Sequence, residues 1–317
     1  MINRYMHWVG FLLFIGVAVS AETLRPLNLV DTIVIDSSQI QERMDLSGLA
    51  TDGKDLFTVS DLSHLNDIYK IVLEGPGKAR LSVHQKFDTN WLEAYLHEHK
   101  SQGRFDLEGL ALCGQRLILI NESTRSLISM SPSGRARSIL LPFREFHEAS
   151  PYRVNPFSGV VNAGLEAVAC DWDNKKIYIF NERQFRMAYT YDWEKKVIEE
   201  QFTFAAGDEL PAKFGRLWMY PDFAGAHFHK GFLYLLVRNR RLIVKYDLKT
   251  HRVIERYTFA EHTKDLFNEK GVFGLAEGVT IIGNEFYVVL DHNKWTHKGT
   301  KSQKPILLRL RAEGLEL

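Results

Sequence analysis

Asp106-Leu107-Glu108-Gly109-Leu110-Ala111-Leu112, continuing through Arg116-Leu117-Ile118-Leu119-Ile120 to Asn121-Glu122, decides the fold because it recurs. Ser47-Gly48-Leu49-Ala50 leads through Asp55-Leu56-Phe57-Thr58-Val59 to Ser60-Asp61, and Glu166-Ala167-Val168-Ala169 leads through Lys176-Ile177-Tyr178-Ile179-Phe180 to Asn181-Glu182. Looser copies run from Gly225-Ala226-His227-Phe228 to Val237-Arg238 and from Glu277-Gly278-Val279-Thr280 to Leu290-Asp291. The start points Ser47, Glu108, Glu166, Gly225 and Glu277 recur every ~50–60 residues, with several short strands per period and no βαβ alternation, the signature of a β-propeller. A β-sandwich would not repeat one two-strand signature at near-constant spacing.

Outward from that signature the chain reads as short Val/Ile/Phe/Tyr-rich strands bounded by Gly, Asp, Asn or Ser. Four strands per unit are expected, except that the last unit runs out after Ile306–Leu310, while Thr32–Ile35 belongs to no unit. The N-terminal strand is therefore expected to complete the C-terminal blade and remove its open edge. The expectation is an all-β propeller of five blades, with a sixth, degenerate blade as the alternative. Helical spacing is confined to Asn90–Lys100, behind Thr89 or Asn90 as cap, and to Ala260–Phe267, both read as insertions.

The N-terminus carries one cation, Arg4, then an apolar run from Trp8 to Val19 and small residues before Ala21, the pattern of a secretory signal peptide cut after Ala21. The run is shorter than the ~20 residues that span a bilayer, so residues 22–317 are expected to form one exported, periplasmic or secreted propeller domain without a membrane span. Losing Arg4 takes the formal net charge from +1 to zero. A neutral, exported chain without a dense basic run before its last quarter is not a nucleic-acid binder. Hydrophobic residues at 45% and aromatics at 12% suffice for a large core. The two cysteines are read as buried, inert thiols; a Cys113–Cys170 disulfide is the alternative in an oxidising compartment.

In a propeller the innermost strand of each blade leaves one face and the second returns antiparallel. Glu108, Glu166 and Glu277 open first strands, and Asp61, Glu122, Glu182 and Asp291 close second strands, so seven carboxylates are expected around one mouth of the central channel. The long connections Phe87–Phe105, Phe143–Ala163, Phe204–Phe223 and Glu261–Leu275 meet the same face and would wall it. Like charges so close must hold a proton or be offset, by a hard cation such as Ca2+ or by the rim arginines Arg183, Arg186, Arg238, Arg240 and Arg241. His227, His229, His292, Lys294 and Lys298 could join the arginines in clamping an anionic group. The plain structural alternative is that each Glu ties one blade to the next. No nucleophile elbow, His-Glu-x-x-His, phosphate-binding Gly-rich loop or Cys-x-x-Cys is present.

These same motifs, Leu46–Ala50 with Val59-Ser60-Asp61, Asp106–Ala111 with Asn121-Glu122 and Ser131-Pro132-Ser133-Gly134, Asn162–Ala169 with Glu182, and Ala276–Val279 with Asp291 and Asn293, resemble the family named for the esterase-like activity of phytase. Val237-Arg238 and His292 depart from its pattern. The resemblance implies an extracytoplasmic propeller and ester or phosphoester hydrolysis. The expected reaction is hydrolysis of a small ester or phosphate ester. Glu108, Glu166, Glu277 and Asp291 would be catalytic, and Glu108, Glu122, Glu166, Glu182 and Glu277 would hold Ca2+. Arg183, Arg238, His227 and His292 would hold the anionic part of the substrate. The competing expectation is a non-catalytic envelope propeller that binds a ligand or partner, with a structural Ca2+. Nothing in the sequence sets the oligomeric state.

Overall fold

The computed structural model describes residues 24–41, 44–62, 66–99, 105–149, 164–181, 187–204, 222–267, 275–292 and 294–314. The expected signal peptide lies outside them, as do Glu182, Arg183, Arg186 and Asn293. Apolar runs such as Leu117–Ile120 have no polar side because both faces of the strand are buried. After β1 (Leu24–Pro26) and β2 (Asn28–Asp36), the first blade consists of β3 (Leu46–Thr51), β4 (Leu56–Ser60), β5 (Asp67–Gly75) and β6 (Lys78–Lys86). Helix α1 (Thr89–Glu98) leads to the second: β7 (Leu107–Cys113), β8 (Arg116–Asn121), β9 (Ser126–Met130) and β10 (Ala136–Leu140). After α2 (Phe143–Glu148) come β11 (Leu165–Asp171), β12 (Lys176–Asn181), β13 (Met187–Asp192) and β14 (Val197–Thr203). The fourth blade is β15 (Phe223–His229), β16 (Phe232–Val237), β17 (Leu242–Asp247) and β18 (Arg252–Thr258). Past α3 (Ala260–Thr263), the fifth begins with β19 (Ala276–Ile282), β20 (Glu285–Leu290) and β21 (Ile306–Arg311).

The fifth blade is completed by β2, which pairs antiparallel with β21 from Asn28–Arg311 to Val34–Ile306, the closure expected from the unassigned N-terminal strand. β2 also pairs in parallel with β6 over Val34–Asp36, which joins blades five and one into one eight-stranded sheet, while β1 lies parallel on β18 of blade four. One N-terminal segment thus ties three blades. The five-blade fold is also visible in the core, which divides into five clusters, one at each blade-to-blade interface. In β8, Leu117 and Leu119 face blade one while Ile118 and Ile120 face blade three. In β16, Leu233 and Leu235 face blade three while Tyr234 and Leu236 face blade five. Period-two alternation between two apolar neighbours makes these strands read as unbroken hydrophobic runs.

The two cysteines correct an expectation: Cys113 and Cys170 form a disulfide, with Cα atoms 5.6 Å apart. Their opposite pleat parity turns Cys113 forward and Cys170 back into the same interface between blades two and three. Helix α1 is capped by Asp88, whose carboxylate accepts the Trp91 amide at 2.9 Å, one residue earlier than expected. α3 is a single turn, shorter than the expected Ala260–Phe267, and α2 was not foreseen in the Phe143–Ala163 connection. Among the described residues no helix is long and apolar enough to cross a membrane.

Candidate functional site

Every inner strand carries one extra residue near its start. In blades two, three and five that residue is Glu108, Glu166 or Glu277, and in blade one the irregularity falls between Ser47 and Ala50. A bulge re-aims its side chain out of the pleat, here at the end where second strands finish. The next residue must then pass close to the neighbouring blade. A Cβ on Gly109 would lie 2.6 Å from the Glu166 carbonyl oxygen, and one on Gly278 2.6 Å from the Gly48 backbone. The Glu-Gly pair of the repeat therefore has two separate causes, a carboxylate sent to the mouth and a close backbone approach behind it.

In blade four Phe223 pairs with Val237 as Leu107 pairs with Asn121, so the bulged residue is Ala224 and the fourth repeat begins one residue before the Gly225 expected from sequence. Blade four thus lacks the opening acid and has Arg238 where the other blades close on acids. The mouth is built alike elsewhere: the amides of Asp61, Glu122, Arg238 and Asp291 donate to the carbonyls of Asp45, Asp106, Asp222 and Leu275 at 2.8–3.2 Å. That bond brings Asp45, Asp106 and Asp222 into the site. Sequence reasoning passed over these three, although each stands two residues ahead of Ser47, Glu108 or Ala224, a repeat in its own right.

Arg238 is buried and divides the ring. Its Nε and Nη2 donate to the two oxygens of Asp222 at 3.0 and 3.1 Å, and its Nη1 pairs with Glu277 and with Glu166, the latter at 3.3 Å. Burial alone would lower its pKa; Glu277, Asp222 and Glu166 reverse that and hold the guanidinium well above its usual value. This corrects two expectations. Arg238 is committed to carboxylates and is no clamp for a substrate anion, and Glu166 and Glu277 pair with Arg238 and are not grouped with Glu108.

The other half is a group of acids. Asp106, Glu108 and Glu122 each place an oxygen within 4.8 Å of the others. Ser47 Oγ donates to Glu108 Oε2 at 2.8 Å, and Glu122 Oε1 accepts the Gly164 amide at 3.1 Å. Burial, then Asp61, Asp106 and Glu122, push the Glu108 carboxyl well above the usual carboxylate range, against the pull of the Ser47 hydrogen bond. Hard oxygen donors at this spacing fit Ca2+, and a cation there would offset the repulsion that raises Glu108.

Asp291 lies with Asp45 and His292 in a third group, all buried, again with one atom each within 4.8 Å. Lys294 N–H donates to His292 Nδ1 at 3.0 Å, so Nε2 carries the proton and faces Asp45 Oδ1 at 3.2 Å. That tautomer leaves Nε2 no lone pair for a metal. His292 is 0% exposed, which corrects its expected role in holding a substrate. His227 is corrected too. It sits in mid-strand opposite Tyr234, below the mouth, with Nδ1 3.1 Å from Thr280 Oγ1. The cavity it lines measures about 40 Å3, room for a few waters and too small for an organic ester.

Fold and site together define a five-bladed β-propeller with an acidic channel mouth split by one buried arginine. The profile of the SdiA-regulated family matches residues 93–295, more than half of the chain, and the chain belongs to that family. The propeller expected from the phytase-related motifs stands; the family that matches is this one, and phytase-like activity remains an expectation. A comparison with curated proteins gives no match. Among solved structures the chain is similar to Myxococcus xanthus glutaminyl cyclase, at 12% identity and TM-score 0.54 over 92% of this chain and 97% of that one. It is also similar to the PQQ-bound aldose sugar dehydrogenase of Streptomyces coelicolor, at 13% identity and TM-score 0.47 over 90% and 98%. At such identities the likeness concerns the fold alone.

Proposed function

We propose that the chain is an exported hydrolase of esters or phosphate esters whose mouth is completed by a divalent cation, Ca2+ by its donor set, held by Asp106, Glu108 and Glu122. The observation that carries this reading is Glu108, a carboxyl crowded by Asp61, Asp106 and Glu122 and oriented by the Ser47 hydroxyl. When bound, Ca2+ would supply Lewis-acid stabilisation of charge developing on an ester oxygen. Ser47 orients the Glu108 carboxylate, and Asp61, the first of the acids crowding Glu108, is placed to take a proton from an attacking water. Arg125, whose charge is felt by Glu122, supplies a cation beside the trio for the anionic part of the substrate. Arg238 holds Glu166 and Glu277, with Asp222, as a fixed wall. Export is supported by the signal-peptide pattern and by the disulfide, which persists in oxidising compartments.

A second reading, a binding propeller with a structural cation, is favoured by Glu122, which takes the Gly164 amide ahead of blade three and so ties two blades. Thermal unfolding with Ca2+, with Mg2+ and with chelator, paired with hydrolysis of p-nitrophenyl acetate, p-nitrophenyl phosphate and phytate, separates the two. A Ca2+-dependent rise in Tm with chelator-sensitive turnover supports the hydrolase; stabilisation without turnover supports the binding module. Absence of any response to cations would overturn both.

A further inference from the structure

The lower half of the channel is chemically unlike the mouth. At the register of His227 the other inner strands present Ala50, Ala111, Ala169 and Thr280, so one imidazole stands among small side chains beside the cavity. Two residues on, His229 shares the same strand face, as period two requires. The two rings are stacked at 22°, with centroids 6.1 Å apart. An ion bonded to ring nitrogens at ~2.0–2.1 Å holds two imidazole centres roughly 5 Å apart at a tetrahedral angle and roughly 6 Å apart near a linear one, so the two rings lie at the outer edge of that range and must rotate towards each other to share an ion.

From this arrangement we infer that His227 and His229 form a two-imidazole site for a borderline transition ion such as Cu2+, Ni2+ or Zn2+, separate from the acidic mouth and facing the opposite end of the channel. Imidazole nitrogens suit these ions, whereas Ca2+ takes oxygens. Thr280 Oγ1 stands 3.1 Å from His227 Nδ1 and can accept its proton, the outer hydrogen bond that leaves Nε2 free to ligate. A hydroxyl can serve that way and a backbone N–H cannot, which is why His292, facing an amide, is excluded and His227 is not. Waters in the cavity would fill the remaining positions.

The test is titration of the untagged full chain, saturated with Ca2+ to occupy the mouth, with Cu2+ and with Ni2+. Affinity is read by calorimetry, and nitrogen couplings by paramagnetic resonance of the Cu2+ form. About one tightly held equivalent, with couplings from two imidazoles and affinity lowered at least about tenfold in His229→Gln, is expected. His229 lies at the strand end, and an unchanged Tm confirms that the variant folds even if His227→Ala does not. Retention of the ion at full affinity in His229→Gln would assign it to other histidines and overturn the site. Displacement by Ca2+, or no retained equivalent, would overturn it as well.

Discussion

Glu277 and Glu108 occupy the same bulged position in blades five and two, yet they live in opposite electrostatic worlds. Glu277 faces a buried guanidinium shared with Asp222 and Glu166; Glu108 faces Asp61, Asp106 and Glu122 with one serine hydroxyl for company. The backbone device is identical, so the difference lies in the neighbouring side chains, above all in blade four, where Ala224 and Arg238 stand in place of two acids. A repeat fold multiplies a position, and a single departure in one copy decides what the other copies can do.

The largest effect expected of breaking this contrast is at Arg238. Arg238→Met leaves the buried Asp222 and Glu166 and the part-buried Glu277 without their shared cation and should cost about 3–5 kcal/mol in urea unfolding. Arg238→Lys should fall between, since an ammonium cannot hold Asp222 through two parallel bonds. A loss under about 1 kcal/mol would mean that the two halves are not distinguished by charge. Next come the glycines behind the two glutamates. Gly109→Ala and Gly278→Ala each drive a Cβ to 2.6 Å of a neighbouring backbone and should each cost about 1–3 kcal/mol. Similar losses on both sides would show that the halves differ in charge and not in mechanics.

The smallest effect is the pH dependence of the acid half. The Glu108 carboxyl is raised in the folded protein, so above about pH 4.3, where the unfolded chain ionises, the unfolded state holds fewer protons. Its contribution to stability is therefore complete at lower pH and is lost as pH rises through the folded pKa, at most about 1.4 kcal/mol per pH unit. Subtracting the pH profile of Glu108→Gln from that of the metal-free wild type isolates this slope. Ca2+ should flatten it, and Ca2+ affinity should itself rise with pH. A slope of opposite sign would mean that Glu108 is stabilised as the anion.

The propeller, its five blades and its N-terminal closure were legible because apolar alternation and the Glu-Gly signature are local, and each repeats. Glu108, Glu166 and Glu277 were placed at the mouth for the same reason. Which of them meets a cation was not legible, because Arg238 reaches across blades to Glu277 and Glu166, partners that no local pattern names. The role expected of His227 failed on depth, since a residue at the end of a strand and one in mid-channel look alike in sequence and only register separates them; that of His292 failed on burial, beside Asp45 and Asp291. Asp45, Asp106 and Asp222 were within reach, since they repeat two residues ahead of each opening position, but an aspartate before a strand reads as ordinary punctuation. The disulfide turned on whether the two cysteines faced one shared interface, which parity alone left undecided.

The central claim, that one half of the mouth takes a cation and the other already has its own, is tested most directly by Ca2+ titration calorimetry on the wild type, Glu108→Gln and Glu277→Gln. The account predicts that Glu108→Gln abolishes binding while Glu277→Gln, still folded around Arg238, Asp222 and Glu166, keeps it within about threefold. Loss of binding in Glu277→Gln with retention in Glu108→Gln would contradict it.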